Sequence, residues 1–270
     1  MAIPLEDNFN DIIGKAQRGL KISDGELAEK SGVRIDALQR LRAGEFDESP
    51  ARKVAPVLGL NADALVASGE KSWRPQALEL AGVAQFNTPW DDMTVNSYIV
   101  WDAASGEAAA FDTGADCLPM LDFLSVKKIT LKLIFLTHTH GDHIFDLDRL
   151  KEKTGAHAFV GSREPLDGAE SFDVGREFAL GDLKIETRLT WGHSKGGITF
   201  VVRGLARPVA VVGDALFAGS MGGGMVSYAD ALRTNRGEIF TLPDETVVCP
   251  GHGPLTTVGE ERGHNPFFAK

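Results

Sequence analysis

The chain has 270 residues, of which 43% are hydrophobic and 24% charged. That is enough for one large domain and a small one around a substantial core. A formal net charge of −10 excludes a chain-wide nucleic-acid surface, and two cysteines, Cys117 and Cys249, exclude a disulfide framework. No run approaches membrane-span length, and the opening "MAIPLEDNFNDIIGKAQRG" lacks the basic-then-apolar order of a secretory leader. The expectation is a protein of the reducing cytoplasm, with no membrane association.

In chain order, residues 9–68 predict short helices. "SDGELAEKSG" opens on Ser23 with Glu26 three residues later, a capping box, and closes at Gly32. "VRIDALQRLRAG" places Ile35, Leu38 and Leu41 on one face and ends at Gly44. Two further helices are expected to open at Ser49 and Asn61. "GEKSWRPQ" (69–76) reads as a linker. From about residue 93 the runs "VNSYIVW", "AAAFDTG", "LKLIFLT", "HAFVG", "ITFVVRG", "PVAVVGD" and "TVVCPG" predict strands. Helical stretches, among them "DCLPMLDFLS", "HIFDLDRLKEKTG" and "YADALRTNRGEI", lie between some of them, which is an α/β pattern. The expected division is a helical domain over 1–70, a linker over 71–79 and an α/β domain over 80–270.

The chemistry concentrates in "FLTHTHGDHI" (135–144), which spends three of the seven histidines in six positions. "LKLIFL" predicts a buried strand, so "THTHGDH" is the loop at its end. His138 and His140 are two apart, and in extended backbone such side chains point the same way. Gly141 lets the chain turn, so Asp142 and His143 can face the same cavity. Imidazole and carboxylate together suit zinc first, and also iron or manganese. Other apolar runs end likewise: "TWGHSKGG" carries His193, "VVGDALF" carries Asp214 and "VVCPGHGP" carries His252. An aspartate after glycine is ordinarily a turn or a cap, so the conjunction carries the inference. His157 and His264 lack such a setting.

His138-x-His140-x-Asp142-His143, followed by His193, Asp214 and His252, resembles the metallo-β-lactamase superfamily over roughly residues 80–270. The resemblance implies a four-layer αββα sandwich with a two-metal site at one edge. It implies His138, His140 and His193 on the first metal, Asp142, His143 and His252 on the second, and Asp214 on both. A metal-bridging hydroxide would then attack a carbonyl carbon, with Asp142 orienting the nucleophile. The β-lactamases proper place a cysteine where this chain has Asp214, which points away from antibiotic hydrolysis. Flavodiiron-type oxidoreductases place a glutamate where this chain has His140. "GDALFAGSMG" and "CPGHGPLTTVGEERGHNPFF" resemble the glyoxalase-II-like hydrolases. Full-length glyoxalase II carries a basic C-terminal helical domain that grips glutathione, whereas this sequence runs to Lys270, and Thr139 stands where that family has a histidine. The resemblance thus implies thioester hydrolysis more firmly than glutathione as the carrier. Asp112, in "FDTG", is a candidate to orient a ligand histidine, and Lys195 a candidate to hold an anionic part of a small-molecule substrate. Lactone or ester hydrolysis at the same centre, and an iron-dependent persulfide dioxygenase, are the competing enzymatic readings.

"ELAEKSGVRIDALQRLRAGEFDESPARKVAPVLGLNADAL" (26–65) is similar to the Cro/repressor type of helix-turn-helix. Its second helix would present Arg34, Asp36, Gln39 and Arg40 towards base edges. That would make the chain a DNA-binding regulator whose metal domain senses a metabolite. Residues 1–71 hold ten Lys/Arg against twelve Asp/Glu, however, and a phosphate-binding domain is usually basic. The reading slightly ahead is a bundle reused for homodimerisation or as a cap over the site.

Overall fold

The computed structural model describes residues 3–270, so the first two residues of the expected 1–70 domain lie outside the described ones. Five helices come first: α1 (Phe9–Leu20), α2 (Asp24–Ser31), α3 (Ile35–Arg42), α4 (Glu48–Val57) and α5 (Ala62–Glu70). The Ser23–Glu26 capping box forms in both directions, and Gly32 closes α2 at φ 65°. Asn61 caps α5 through its side-chain oxygen. The helix expected to open at Ser49 is capped two residues earlier. Asp47 is in extended conformation and its carboxylate takes the Ser49 N–H, so the aspartate outcompetes the serine as cap.

The first sheet follows the chain: β1 (Val83–Trp90), β2 (Met93–Trp101), β3 (Glu107–Phe111), β4 (Thr130–Leu136), β5 (His157–Gly161) and β6 (Glu170–Phe172). The first three pair antiparallel, and β3 to β6 pair parallel. Parallel neighbours need crossovers. Helix α6 (Leu118–Lys127) supplies one, and the single turn α7 (Gly141–Ile144) with α8 (Leu147–Thr154) supplies the next. The second sheet contains β7 (Glu177–Leu180), β8 (Leu183–Leu189), β9 (Ile198–Arg203), β10 (Val209–Gly213), β11 (Val247–Pro250) and β12 (Thr256–Thr257). Between β10 and β11 run α9 (Tyr228–Thr234) and a π-helical turn over Asn235–Ile239, and α10 (Val258–His264) follows β12.

Three cores separate four layers. Between the sheets, Phe111, Phe135, Phe178 and Phe200 interlock with ring centroids 4.8–5.5 Å apart. On the outer face of the first sheet, Met120 and Leu124 of α6 and Leu147 and Leu150 of α8 cover Ile99, Ala108, Ala110 and Ile134. On the outer face of the second, Val201, Ala210 and Val248 share one apolar cluster with α9, α10 and the N-terminal helices, including Ile12, Ile13, Leu38 and Leu41. The helical region therefore buries its apolar faces partly against the sandwich. The stretch expected as a linker runs without regular structure along the surface, with Trp73 stacked on the His264 ring and Leu78 packed against the sandwich core.

Candidate metal centre

Strand ends bring the predicted residues together. β4 is buried over its last three residues and delivers Thr137 and His138; His140 then caps the one-turn helix that carries Asp142 and His143. His193 comes from the loop between β8 and β9, Asp214 follows β10, and His252 follows β11. His138, His140, His193 and Asp214 form one cluster of metal-capable atoms, and Asp142, His143 and His252 form a second.

Hydrogen bonds fix which ring nitrogen each histidine offers. His143 Nδ1 lies 2.8 Å from the Asp112 carboxylate. A carboxylate only accepts, so Nδ1 carries the proton and Nε2 is left for the cluster. His252 Nδ1 donates to the Thr94 carbonyl at 2.7 Å, and His193 Nδ1 to the Gly223 carbonyl at 3.0 Å. Thr137 Oγ1 donates to Asp112 at 2.8 Å, so it accepts from His138 Nδ1 at 3.0 Å. His140 is turned the other way. Its Nδ1 stands 3.1 Å from both His138 Nε2 and His193 Nε2.

The spacings fit small metal ions. Tetrahedral bonds of about 2.0–2.1 Å require ligand atoms about 3.4 Å apart. Around the first cluster the separations are 3.1, 3.1, 3.3 and 3.9 Å. Around the second, Asp142 Oδ2 lies 3.3 Å from His252 Nε2 and 3.5 Å from His143 Nε2. Asp214 stands between them, with Oδ1 at 3.3 Å from His143 Nε2 and Oδ2 at 3.5 Å from His252 Nε2. His143 Nε2 and Asp214 Oδ1 are buried without a hydrogen-bond partner. Orphaned buried polar atoms are costly unless an ion takes them.

Electrostatics agree. Burial pushes the His138 and His193 imidazoles down, so both stand neutral, the form in which an imidazole can bind a metal. Burial also works against charge on His143, but Asp214 and Asp112 overcome it and lift that ring to about 10. At His252, Asp214 and Asp142 likewise overcome burial and lift it to about 11. Burial opposes ionisation of Asp214, yet His252 and His143 hold its carboxyl well below the usual range. The carboxylates thus call for positive charge, from protons or from cations.

Of the other candidates, Asp112 alone reaches the cluster, through His143. Asp112 is 2% exposed at φ 56°, and receives the Thr137 N–H at 2.7 Å in addition to Thr137 Oγ1 and His143. Lys195 is exposed, and its backbone N–H, not its ammonium, is engaged, by Glu164 at 2.6 Å. Glu164 also takes the Thr139 N–H at 3.3 Å and so ties the His138–His140 loop to the His193 loop. Sequence reasoning missed it, because a glutamate in "GSREPLDG" carries no local signal. Arg34, Gln39 and Arg40 are exposed on or beside α3, away from the metal cluster, and both arginines pair with Asp36. His157 pairs with Glu170 on the surface. No helix among the described residues is long and apolar enough to cross a membrane.

Known proteins resemble this chain in sequence and fold. A probable metallo-hydrolase of Streptococcus pyogenes is 31% identical over 199 residues, covering 63% of this chain and 84% of that protein. The hydroxyacylglutathione hydrolase GloC of Haemophilus influenzae is 27% identical over 202 residues, covering 64% of this chain and 92% of that protein. Among solved structures, the BLEG-1 B3 metallo-beta-lactamase superposes with a TM-score of 0.60 at 26% identity, over 69% of this chain and all of that one. The family description itself matches residues 90–252, from the end of β1 to His252, and the five N-terminal helices lie outside it. With both sheets, the layer order and that match in agreement, the chain belongs to the metallo-beta-lactamase superfamily.

Proposed function

We propose that this chain is a binuclear metallo-hydrolase acting on a thioester, with lactones and other activated esters as the next class. The observation that carries the reading is the convergence of seven side chains, with His143 Nε2 and Asp214 Oδ1 buried and unpartnered between the two clusters. His138, His140 and His193 would hold one ion, Asp142, His143 and His252 the other, and Asp214 both. Zinc suits this set, as do iron and manganese. Two divalent cations, when bound, supply hydroxide at neutral pH and polarise an acyl carbonyl.

The chain's own residues do the rest. Asp112 and the carbonyls of Thr94 and Gly223 keep the Nδ1 protons of His143, His252 and His193 in place, which aims each Nε2 inward. Asp142, partly exposed and 3.3 Å from His252, would orient the attacking water and accept its proton. No serine or cysteine nucleophile is needed: Cys117 and Cys249 are buried, and burial pushes both thiols up, Cys117 to about 12, above the range of a reactive thiolate.

Glutathione thioesters come into view through the Haemophilus relative. The test is hydrolysis of S-D-lactoylglutathione by zinc-loaded protein, followed by thioester absorbance, beside a lactone and a β-lactam. Turnover lost in Asp214→Ala supports thioester hydrolysis. With two metals bound and no thioester turnover, the lactone arm takes precedence. One iron per chain would favour the oxygenase instead. We assign the helical region to shaping the domain and not to reading DNA, since Asp36 pairs with both Arg34 and Arg40 and residues 1–71 hold more Asp/Glu than Lys/Arg. Salt-sensitive DNA binding at low ionic strength would reverse that assignment.

A further inference from the structure

The segment before α1 lies against the metal centre. Gly253 directly follows His252, and a Cβ built there would stand 3.3 Å from the Glu6 backbone nitrogen, 3.6 Å from the Pro4 carbonyl oxygen and 3.7 Å from Glu6 Cβ. Residues 4–6 thus cross over the His252 loop. One residue on, Asp7 ties the segment to the loop beyond Asp214. Its carboxylate receives Ser220 Oγ and Lys15 Nζ, and Lys15 also donates to the Met221 carbonyl at 2.9 Å. Phe217 stands between Lys15, 5.0 Å from its ring, and His252, 5.6 Å from it. That loop then touches the centre, for a Cβ at Gly222 would fall 1.9 Å from the Asp214 carbonyl and 2.9 Å from His193 Nδ1.

Ile3 and Leu5 line an outer cavity of about 230 Å3 with Arg74, Gln85 and Leu255, and Glu6 is not part of that lining. Glu6 instead sets its Cβ 3.7 Å from the Cβ position of Gly253, the residue after His252. Its carboxyl is partly buried, which raises its pKa, and the charges it then feels are those of His252, Asp7, Lys15 and Asp214. Lys15 is committed to Asp7, and among the described residues Glu6 itself has no ion pair or side-chain hydrogen bond. Glu6 thus brings a carboxylate with no partner among the described residues to the His252 loop.

We propose that residues 3–7 complete the substrate-facing wall of the metal centre, and that Glu6 is a specificity-determining residue that favours substrates with a cationic group beside the scissile bond and disfavours anionic ones. This rests on the hydrolase reading above, and names its substrate class. It also gives the helical region a part in the site, since α1 anchors the wall through Lys15.

The test is binding, not turnover. The full chain is loaded with cobalt(II), whose visible absorption reports metal uptake and whose thiolate charge-transfer band reports thiol binding. Thiocholine, cationic, and 2-mercaptoethanesulfonate, anionic, are titrated with 2-mercaptoethanol as neutral reference. The wild type prefers thiocholine, and Glu6→Gln lowers the cation-to-anion preference by about five- to tenfold, as one screened charge at a half-buried site implies. Glu6→Lys inverts it. An unchanged ratio in Glu6→Gln, or a wild type that prefers the sulfonate, overturns the inference while leaving the metal centre standing. Failure to take up cobalt overturns the metal-centre reading, and this inference with it.

Discussion

Asp112→Asn isolates one proton. The Asp112 carboxylate takes the Thr137 N–H on Oδ1, and the Thr137 hydroxyl and His143 Nδ1–H on Oδ2. In the variant the backbone N–H demands an oxygen, so the amide nitrogen occupies the Oδ2 position. There it donates. The Thr137 hydroxyl can rotate and accept, but His143 accepts only by moving its proton from Nδ1 to Nε2. Nε2 is the atom 3.3 Å from Asp214 and 3.5 Å from Asp142, the one the second ion would use. The backbone itself tolerates the change, since asparagine is at ease at the φ of 56° found here. Loss of such an outer partner costs about 10- to 100-fold in metal affinity, or about 1.4–2.7 kcal/mol. The assay is stepwise zinc affinity by chelator competition. The step that belongs to the His143 cluster falls by that factor while the His138–His140–His193 step moves little. Thermal unfolding in chelator controls for general damage. Wild-type affinity at both steps would refute the argument that Asp112 sets the His143 tautomer.

Three more outcomes are expected. Gly251→Ala would set a methyl 2.1 Å from Asp214 Oδ1 and 2.7 Å from His143 Cε1, so the variant binds less than two metals per chain; full stoichiometry by elemental analysis would contradict the packing. Zinc uptake at pH 8 releases about two protons, because His143 near 10 and His252 near 11 carry Nε2 protons that ligation must displace. The sign follows: apparent affinity rises with pH up to those values, with a slope near two per unit, and calorimetry in buffers of different ionisation enthalpy that shows no release would count against it. Phe135→Ala removes the ring at the centre of the inter-sheet cluster and costs about 3–5 kcal/mol in denaturant unfolding; a loss below 1 kcal/mol would mean that the cluster is not the core's keystone.

The strands that carry the chemistry were legible because they are apolar along most of their length. "LKLIFL" and "PVAVVG" became β4 and β10 with the polar loops where expected. The strands not read lack that signal. β1 is polar and holds Pro89, β8 alternates Lys184, Glu186 and Arg188 on its outer face, and β12 is two residues long. Capping chemistry is local, which is why Ser23, Gly32 and Asn61 were readable, and why Asp47, two residues before Ser49, moved one cap by that distance.

The sequence by itself determined which residues could bind a metal, because donor type and spacing within a few residues are local properties. His138, His140, Asp142 and His143 lie on one short stretch, and His193, Asp214 and His252 each end an apolar run. Only the tertiary structure decided which nitrogen of each ring faces the cluster, since that depends on Asp112, Thr94 and Gly223, partners 30 to 158 residues away in the chain. It also decided that Glu164 joins two metal loops and that Glu6 lies beside His252. Contacts between distant segments are made by the burial of shared apolar faces, and no local pattern records with which partner a face is buried.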